Sequence, residues 1–358
     1  MRRSEAIDTR VVHAGLDPDP TYGSVIPPIH QTSTFVQPAP GEFVDDYDYA
    51  RSANPTRAAL ERALGELEGG HGSAFSSGMA ATHALLTAAL DAGDHLILPL
   101  DLYGGTYRLV DKVLARFGLA YEMVDQRDLD ALAAALRPET KLIWVETPTN
   151  PLLNRIDVAG VLEAAAGRAV VVDNTFATPI VQRPLELGAT AVVHSTTKYL
   201  GGHSDVVGGA VICADEGLHE RVRFVQNSVG AVPGPFDCFL VHRGLRTLAL
   251  RVARHSENGR AVSEWLAAQP AVEDVRWPGF GGMVSFRHPD AVGLVSRTEI
   301  FALAESLGGV ESLIEVPGAM THQSVAESDA AVPADLVRLS CGIEASEDLI
   351  ADLGRALG

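Results

Sequence analysis

Cysteine is nearly missing: Cys213, Cys238 and Cys341 are the only three in 358 residues. So few, and so scattered, they exclude a disulfide framework and a cysteine-built zinc site. A basic surface is missing too, since 28 Lys+Arg stand against 46 Asp+Glu for a formal charge of −18. Nucleic acid and anionic membranes both need a cationic footprint, so neither is an expected partner. A few local cations can still hold a phosphate. No apolar run reaches bilayer length before Gly, Pro or a charge interrupts it, and MRRSEAIDTR lacks the apolar core of a secretion signal. The expectation is a cytoplasmic protein. Also absent are G-x-x-x-x-G-K, H-E-x-x-H and a complete G-x-S-x-G, and LHERV at 218–222 lacks a zinc helix's second histidine. P-loop, zincin and serine-hydrolase chemistries lose their support, and no metal is expected.

What is present has an ordinary globular balance, 46% hydrophobic and 21% charged. The length exceeds what one small core organises, which predicts two domains. Residues 1–51 read as an irregular arm with turn-rich GLDPDPTYGS and VQPAPGE segments, too long to hang free and suited to packing on a partner subunit. TRAALERALGELEGG and GMAATHALLTAALDAGD read as helices. Apolar runs at 95–100, 141–146, 169–174, 191–195 and 209–213 then alternate with helical stretches near 105–117, 128–136 and 157–166. This alternation predicts an α/β domain over 52–243, a mostly parallel sheet with helices on both faces. Residues 244–358 mix helices and short strands, a smaller C-terminal α+β domain. Ligands of such sheets sit beyond the carboxyl ends of the strands, where Glu146, Asn150, Asp173, Asn174 and Ser195 fall.

The most informative stretch is STTKYLGGH at 195–203. Lys198 follows a strand among hydroxyls and glycines, and a lysine whose amine is held partly neutral can form an imine. On its own a lysine after a strand is more often a surface lysine. Asp173 changes the balance, because a carboxylate ending the apolar AVVVDN is expensive without a cationic partner. A protonated pyridine nitrogen is such a partner; loop capping is the plainer alternative. SSGMAA at 76–81 opens a helix whose free N–H groups, with Gly78 permitting close approach, can cradle a phosphate, or is simply an N-cap. Tyr103 in YGGTY can stack on an aromatic ring, or fill the core beside a turn.

Together with IPPIHQTSTF, YARSANPTR, LYGGTY, ETPTNP, VDNTFATP, HSTTKYLGGHSD, RGLRTL, ESLGGVESLIEVP and LVRLSCGIE, these residues identify a likeness. Over nearly its whole length the chain resembles the Cys/Met-metabolism enzymes dependent on pyridoxal 5′-phosphate (PLP), the cystathionine γ-lyase, γ-synthase and β-lyase family. The resemblance implies the fold type I architecture shared with aspartate aminotransferase, and PLP as cofactor, held as a Schiff base on Lys198. It implies that Asp173 pairs with the pyridine nitrogen, that Tyr103 stacks on the ring, and that Asn150 lies near the phenolic oxygen. The Gly78 and Met79 amides and the Ser195 and Thr197 hydroxyls would hold the phosphate. Tyr49 and Arg51 would reach that phosphate from a neighbouring subunit, implying a homodimer at least and a tetramer of two such dimers as the expected assembly. Arg338 would fork onto the substrate α-carboxylate, with Ser306 in the same region. Glu305 is the acid that goes with chemistry at the γ-carbon.

The implied substrates are small sulfur-containing amino acids. Cystathionine γ-lyase is the expected activity, with cystathionine γ-synthase as the alternative. Cystathionine β-lyase, methionine γ-lyase and a weakly active PLP-binding homologue rank lower; Gly105 stands where methionine γ-lyases usually carry a reactive cysteine. One departure from the family pattern follows RWPG at 276–279, which runs almost directly into FGGMVSF. A segment is shortened there, and substrate access and the stability of the C-terminal domain are where it would be felt.

Overall fold

The apolar runs assemble into a seven-stranded sheet in the computed structural model, which describes residues 6–321 and 331–358. Its strands are β1 (His71–Phe75), β2 (His95–Pro99), β3 (Ala120–Val124), β4 (Thr140–Glu146), β5 (Ala169–Asp173), β6 (Ala191–His194) and β7 (Gly209–Cys213). They lie in the order β1-β7-β6-β5-β4-β2-β3. All run parallel except β7, which is antiparallel to both β6 and β1. A smaller sheet, ordered β10-β11-β12-β9-β8, comprises β8 (Glu273–Arg276), β9 (Met283–Arg287), β10 (Ala302–Leu303), β11 (Leu313–Glu315) and β12 (Leu336–Ser340). The expected α/β domain followed by a smaller α+β domain is therefore present.

Helices α1 (Ile7–His13), α2 (Pro55–Glu68), α3 (Gly78–Ala89), α4 (Gly104–Leu109), α5 (Leu129–Ala134), α6 (Val158–Ala164), α7 (Thr178–Val181) and α8 (Pro184–Leu187) precede α9 (Glu216–Val229) and α10 (Pro235–Leu245). Beyond them lie α11 (Leu248–Ala267), α12 (Ala291–Val295) and α13 (Ser346–Leu357). Among the described residues no helix is long and apolar enough to cross a membrane. Helix α2 shows how local sequence sets its ends. The Asn54 side chain accepts from the Thr56 and Arg57 N–H groups, Pro55 opens the first turn, and Gly69 closes the helix at φ 91°.

Alternate residues of β2 and β4–β6 bury opposite faces. Leu96, Trp144, Val171 and Val193 pack with α3 and α9; Ile97, Val145, Val172 and Val158 pack on the other side. Boundaries shift in two places. The arm is not wholly irregular, because Val11 of α1 and Ala14 join the core formed with α2, α10 and α11; its first five residues lie outside the described region. The expected division between 243 and 244 falls inside α10. Since α10 packs on α2 whereas α11 packs mainly on α13, β8 and β9, with further contacts to α1 and α7, we propose placing it at residues 246–247.

Where RWPG meets FGG, the β8–β9 connection is short and well tied. Trp277 Nε1 donates to Gly281 O at 3.0 Å, Gly281 N to Ser256 Oγ at 2.8 Å, and Gly282 N to Tyr199 Oη at 3.0 Å.

Candidate active site

Because β1, β2, β4, β5 and β6 are parallel, the residues that follow them gather at one sheet edge. There a cavity of about 300 Å³ is lined by Gly78, Met79, Tyr103, Asn150, Asp173, Ser195, Thr197, Lys198, Glu305, Ser306 and Arg338. These are all the expected site residues except Tyr49 and Arg51. Those two stand outside the cavity of their own chain, with Arg51 Nε donating to Asn227 Oδ1 at 3.2 Å and its guanidinium 5.5 Å from the Tyr49 ring centre.

The turn carrying Lys198 is held from below. Arg251, buried on α11, donates to Tyr199 O at 2.6 Å and Gly244 O at 2.7 Å. Lys198 Nζ lies 2.7 Å from Ser306 Oγ. Ser306 itself has φ 94°, a conformation costing about 1–3 kcal/mol for a non-glycine residue, and it delivers that hydroxyl to the amine. Burial, with the positive charge of Arg338 as the next cause, lowers the Lys198 amine to about 8. About a tenth of the amine is thus neutral at pH 7, far more than for an ordinary lysine.

Arg338 comes from the smaller sheet and is 3% exposed. Its guanidinium donates to Asn150 Oδ1 at 2.7 Å and Ser306 O at 3.1 Å, and pairs with Glu315 Oε1 at 3.0 Å. Glu315 faces Arg338 across the β11–β12 register. Burial raises its carboxyl above the usual range, against the pull of Arg338. The fork therefore reaches the cavity already oriented.

Asp173 ends β5 and accepts from Thr175 N at 3.0 Å. Burial holds its carboxyl above the ordinary range despite the Thr175 hydrogen bonds. On the next strand, in register, stands Glu146, whose Oε2 accepts from Tyr103 N at 3.0 Å and Oε1 from Asn150 N at 2.8 Å. Burial, and then the charge of Asp173, raise its carboxyl as well.

The opposite wall is made for close approach. Ser77 caps α3, its Oγ accepting from Ala80 N at 3.0 Å. A Cβ on Gly78 would come within 2.8 Å of Ser195 Cβ, and one on Gly209 within 2.1 Å of Ser77 O. Thr197 Oγ accepts from Gly208 N at 3.0 Å. A Cβ on Gly105 would strike the Tyr103 ring at 2.4 Å, so the Tyr103 position depends on that glycine. PLP fits these residues: a helix start with adjacent hydroxyls for a phosphate, a carboxylate for a ring nitrogen, and a lysine amine of lowered basicity for an aldehyde.

Sequence reasoning gave Glu146 no role and passed over Thr175 and Glu315. Glu315 carried a readable signal, a carboxylate in the apolar run SLIEV that needs a buried cation.

The profile of the family described as Cys/Met metabolism PLP-dependent enzyme matches residues 8–358. A cystathionine gamma-synthase of Mycobacterium tuberculosis is 54% identical over 373 aligned positions, covering 98% of this chain and 96% of that protein. Those positions outnumber the 358 residues here, so the relative carries residues that this chain lacks. A cystathionine beta-lyase of Lactococcus lactis is 48% identical, covering 98% of this chain and 99% of the relative. The solved structure of metB from Corynebacterium glutamicum superposes with a TM-score of 0.98 at 47% identity, covering 100% of this chain and 99% of its own.

Proposed function

The chain belongs to the Cys/Met-metabolism family of PLP-dependent enzymes, and within it we propose the activity of a cystathionine γ-synthase, joining an O-acyl-homoserine to cysteine. The observation that carries this reading is the 54% identity to a cystathionine gamma-synthase over 98% of the chain. Glu305, the acid associated with γ-carbon chemistry, lines the cavity beside Ser306 and Lys198. The sequence alone favours the γ-lyase; the relatives support the γ-synthase better. A β-lyase relative at 48% identity supports a second reading, ranked lower on the sequence and weakened by Glu305.

The cavity geometry supports the roles proposed for its lining residues, and family likeness those proposed for Tyr49 and Arg51. Arg338 binds the substrate α-carboxylate with its fork, pre-oriented by Asn150, Ser306 and Glu315. Asp173 holds the proton of the ring nitrogen, and Tyr103 covers the ring. Gly78, Met79, Ser195 and Thr197 hold the phosphate, and Tyr49 and Arg51 complete that site from a second subunit. Bound PLP supplies an aldehyde for condensation with amines and a ring that stores the electron pair released at the substrate α-carbon. Lys198, once its amine is free, takes the α-proton on Nζ, its lowered basicity keeping it able to accept and return protons near neutrality. Ser306 Oγ orients that amine between transfers. Having given up the first proton, the Lys198 amine would take a second from the β-carbon; the γ-acyloxy group would then leave as a carboxylate, and the cysteine sulfur would bond in its place as its thiol proton is lost.

Supplying an O-acyl-homoserine plus cysteine, and separately cystathionine alone, tests the choice. Rapid cystathionine formation with little 2-oxobutanoate from cystathionine is expected. Efficient 2-oxobutanoate release from cystathionine, with no cystathionine made, would return the assignment to γ-lyase; pyruvate release would turn it to β-lyase.

A further inference from the structure

Glu146 has no part in the mechanism above, yet its chemistry is unusual for a residue with nothing to do. It is 5% exposed, and the charges that bear on it are those of Asp173 and Asp101, both acids. Burying a carboxylate beside like charges is costly, and packing does not demand it, because glutamine has the same shape. What glutamine lacks is a second acceptor oxygen. Glu146 uses both: Oε2 receives the Tyr103 N–H at 3.0 Å and Oε1 the Asn150 N–H at 2.8 Å. The two donors belong to different loops, one following β2 and one following β4. Asn150 Oδ1 in turn accepts from Arg338 Nη1 at 2.7 Å. One carboxylate therefore ties the loop carrying the ring-facing tyrosine to the loop that orients the carboxylate-binding arginine.

We propose that Glu146 is a positioning residue of the reaction, fixing Tyr103 and the Asn150–Arg338 pair as one unit by accepting a backbone N–H on each carboxylate oxygen. The proposal rests on the site roles given above for Tyr103 and Arg338. It explains why an acid stands where its amide isostere would fit, since a carboxyl group offers an acceptor oxygen to each of two converging N–H donors and an amide offers only one.

The test is Glu146→Gln in the PLP-loaded enzyme, with Glu146→Asp as the milder partner should the glutamine variant accumulate poorly. An amide turns its NH2 towards one of the two donors, and aspartate keeps the charge but is one methylene too short to span both loops. Either change should release one loop. The visible circular dichroism of the bound cofactor, which reports ring orientation, is expected to fall by about half or more. The value of kcat/KM should fall about 10²-fold, a typical cost of misplacing reacting groups by an ångström. Part of that loss should be a raised KM for the amino-acid substrate, through Arg338. Variants whose visible dichroism, kcat and KM stay within about twofold of the parent overturn the proposal, even where thermal stability drops. A parent that shows no visible cofactor band would bring down the whole site assignment. A parent with the band, matched in all three readouts by Glu146→Gln, sinks this inference alone.

Discussion

Two aspartates, one buried in the smaller half of the molecule and one lining the cavity of the larger, have opposite surroundings. Asp352 on α13 is 0% exposed, and its carboxylate accepts from the Glu299, Ile300 and Phe301 N–H groups at 2.9, 2.8 and 2.9 Å and from Arg355 at 2.7 Å. Four donors, one of them a cation, complete it. Asp173, at the floor of the cavity, accepts from Thr175 and has no side-chain ion pair among the described residues. The first is held by an ion pair; the second faces the cavity, where the only charge lowering it is the more distant one of His194. A buried carboxylate with its partners in place holds the fold together, whereas one held above its ordinary range at a strand's carboxyl end marks a candidate ligand site.

The largest expected effect is on the cavity side. Lys198→Ala should remove the visible absorbance of the imine and lower turnover by about 10³-fold or more, since both the proposed nucleophile and the proposed proton carrier are lost. A variant with the parent's spectrum and rate would break the assignment. Next comes Asp173→Asn, expected to lower kcat about 10²-fold, the order seen when a preorganised charge partner is removed, with little loss of denaturant resistance. Asp352→Asn should do the reverse. An amide turns an N–H towards one of the three backbone donors, at a cost of about 2 kcal/mol in urea unfolding, while kcat of the folded enzyme stays at the parent value. If Asp352→Asn impaired kcat and spared stability, the contrast between the two halves would be wrong.

The sequence disclosed the interior of this fold better than its borders. Apolar runs marked β2, β4, β5, β6 and β7, whose residues are covered on both faces. It did not disclose β1 (HGSAF) and β3 (AYEMV), and these are the two edge strands of the large sheet. An edge strand is half covered, so its composition is mixed and its periodicity weak. Helix α1 escaped notice because seven residues carry too little periodicity to stand out. The site divides similarly. Asp173 and Lys198 could be read directly, as a charge ending an apolar strand and an amine following one. Glu315 is separated from Arg338 by the chain and meets it only through strand register. The partners of Glu146 are backbone N–H groups, which every sequence has and none advertises. Roles for Tyr49 and Arg51 were expected through family likeness alone, because their place outside the cavity gives no local sign of one.

The smallest effect is the most discriminating, because it compares lysines within one chain. There are three, Lys112, Lys141 and Lys198. Lys112 is exposed beside Asp111, whose hydrogen bond and charge push its amine above the usual value. Lys198 is lowered to about 8, by burial first and Arg338 second. The sign follows directly: a lysine whose folded pKa is depressed binds fewer protons than the unfolded chain between about 8 and 10.5, so the cofactor-free fold gains stability as pH rises through that window. Its neutral fraction is about a tenth at pH 7 and about nine-tenths at pH 9. The rate at which cofactor-free protein captures PLP, trapped by borohydride and located by peptide mapping, should therefore rise about tenfold at Lys198 over that range and then level off. Modification at Lys112 should remain slow at pH 7 and still be climbing at pH 9. Arg338→Met, which removes the neighbouring positive charge, should move the Lys198 plateau to higher pH. A Lys198 profile that keeps rising beyond pH 9 alongside Lys112 would mean that the cavity exerts no such hold on its amine, and the contrast between a completed interior and a waiting one would lose its chemical basis.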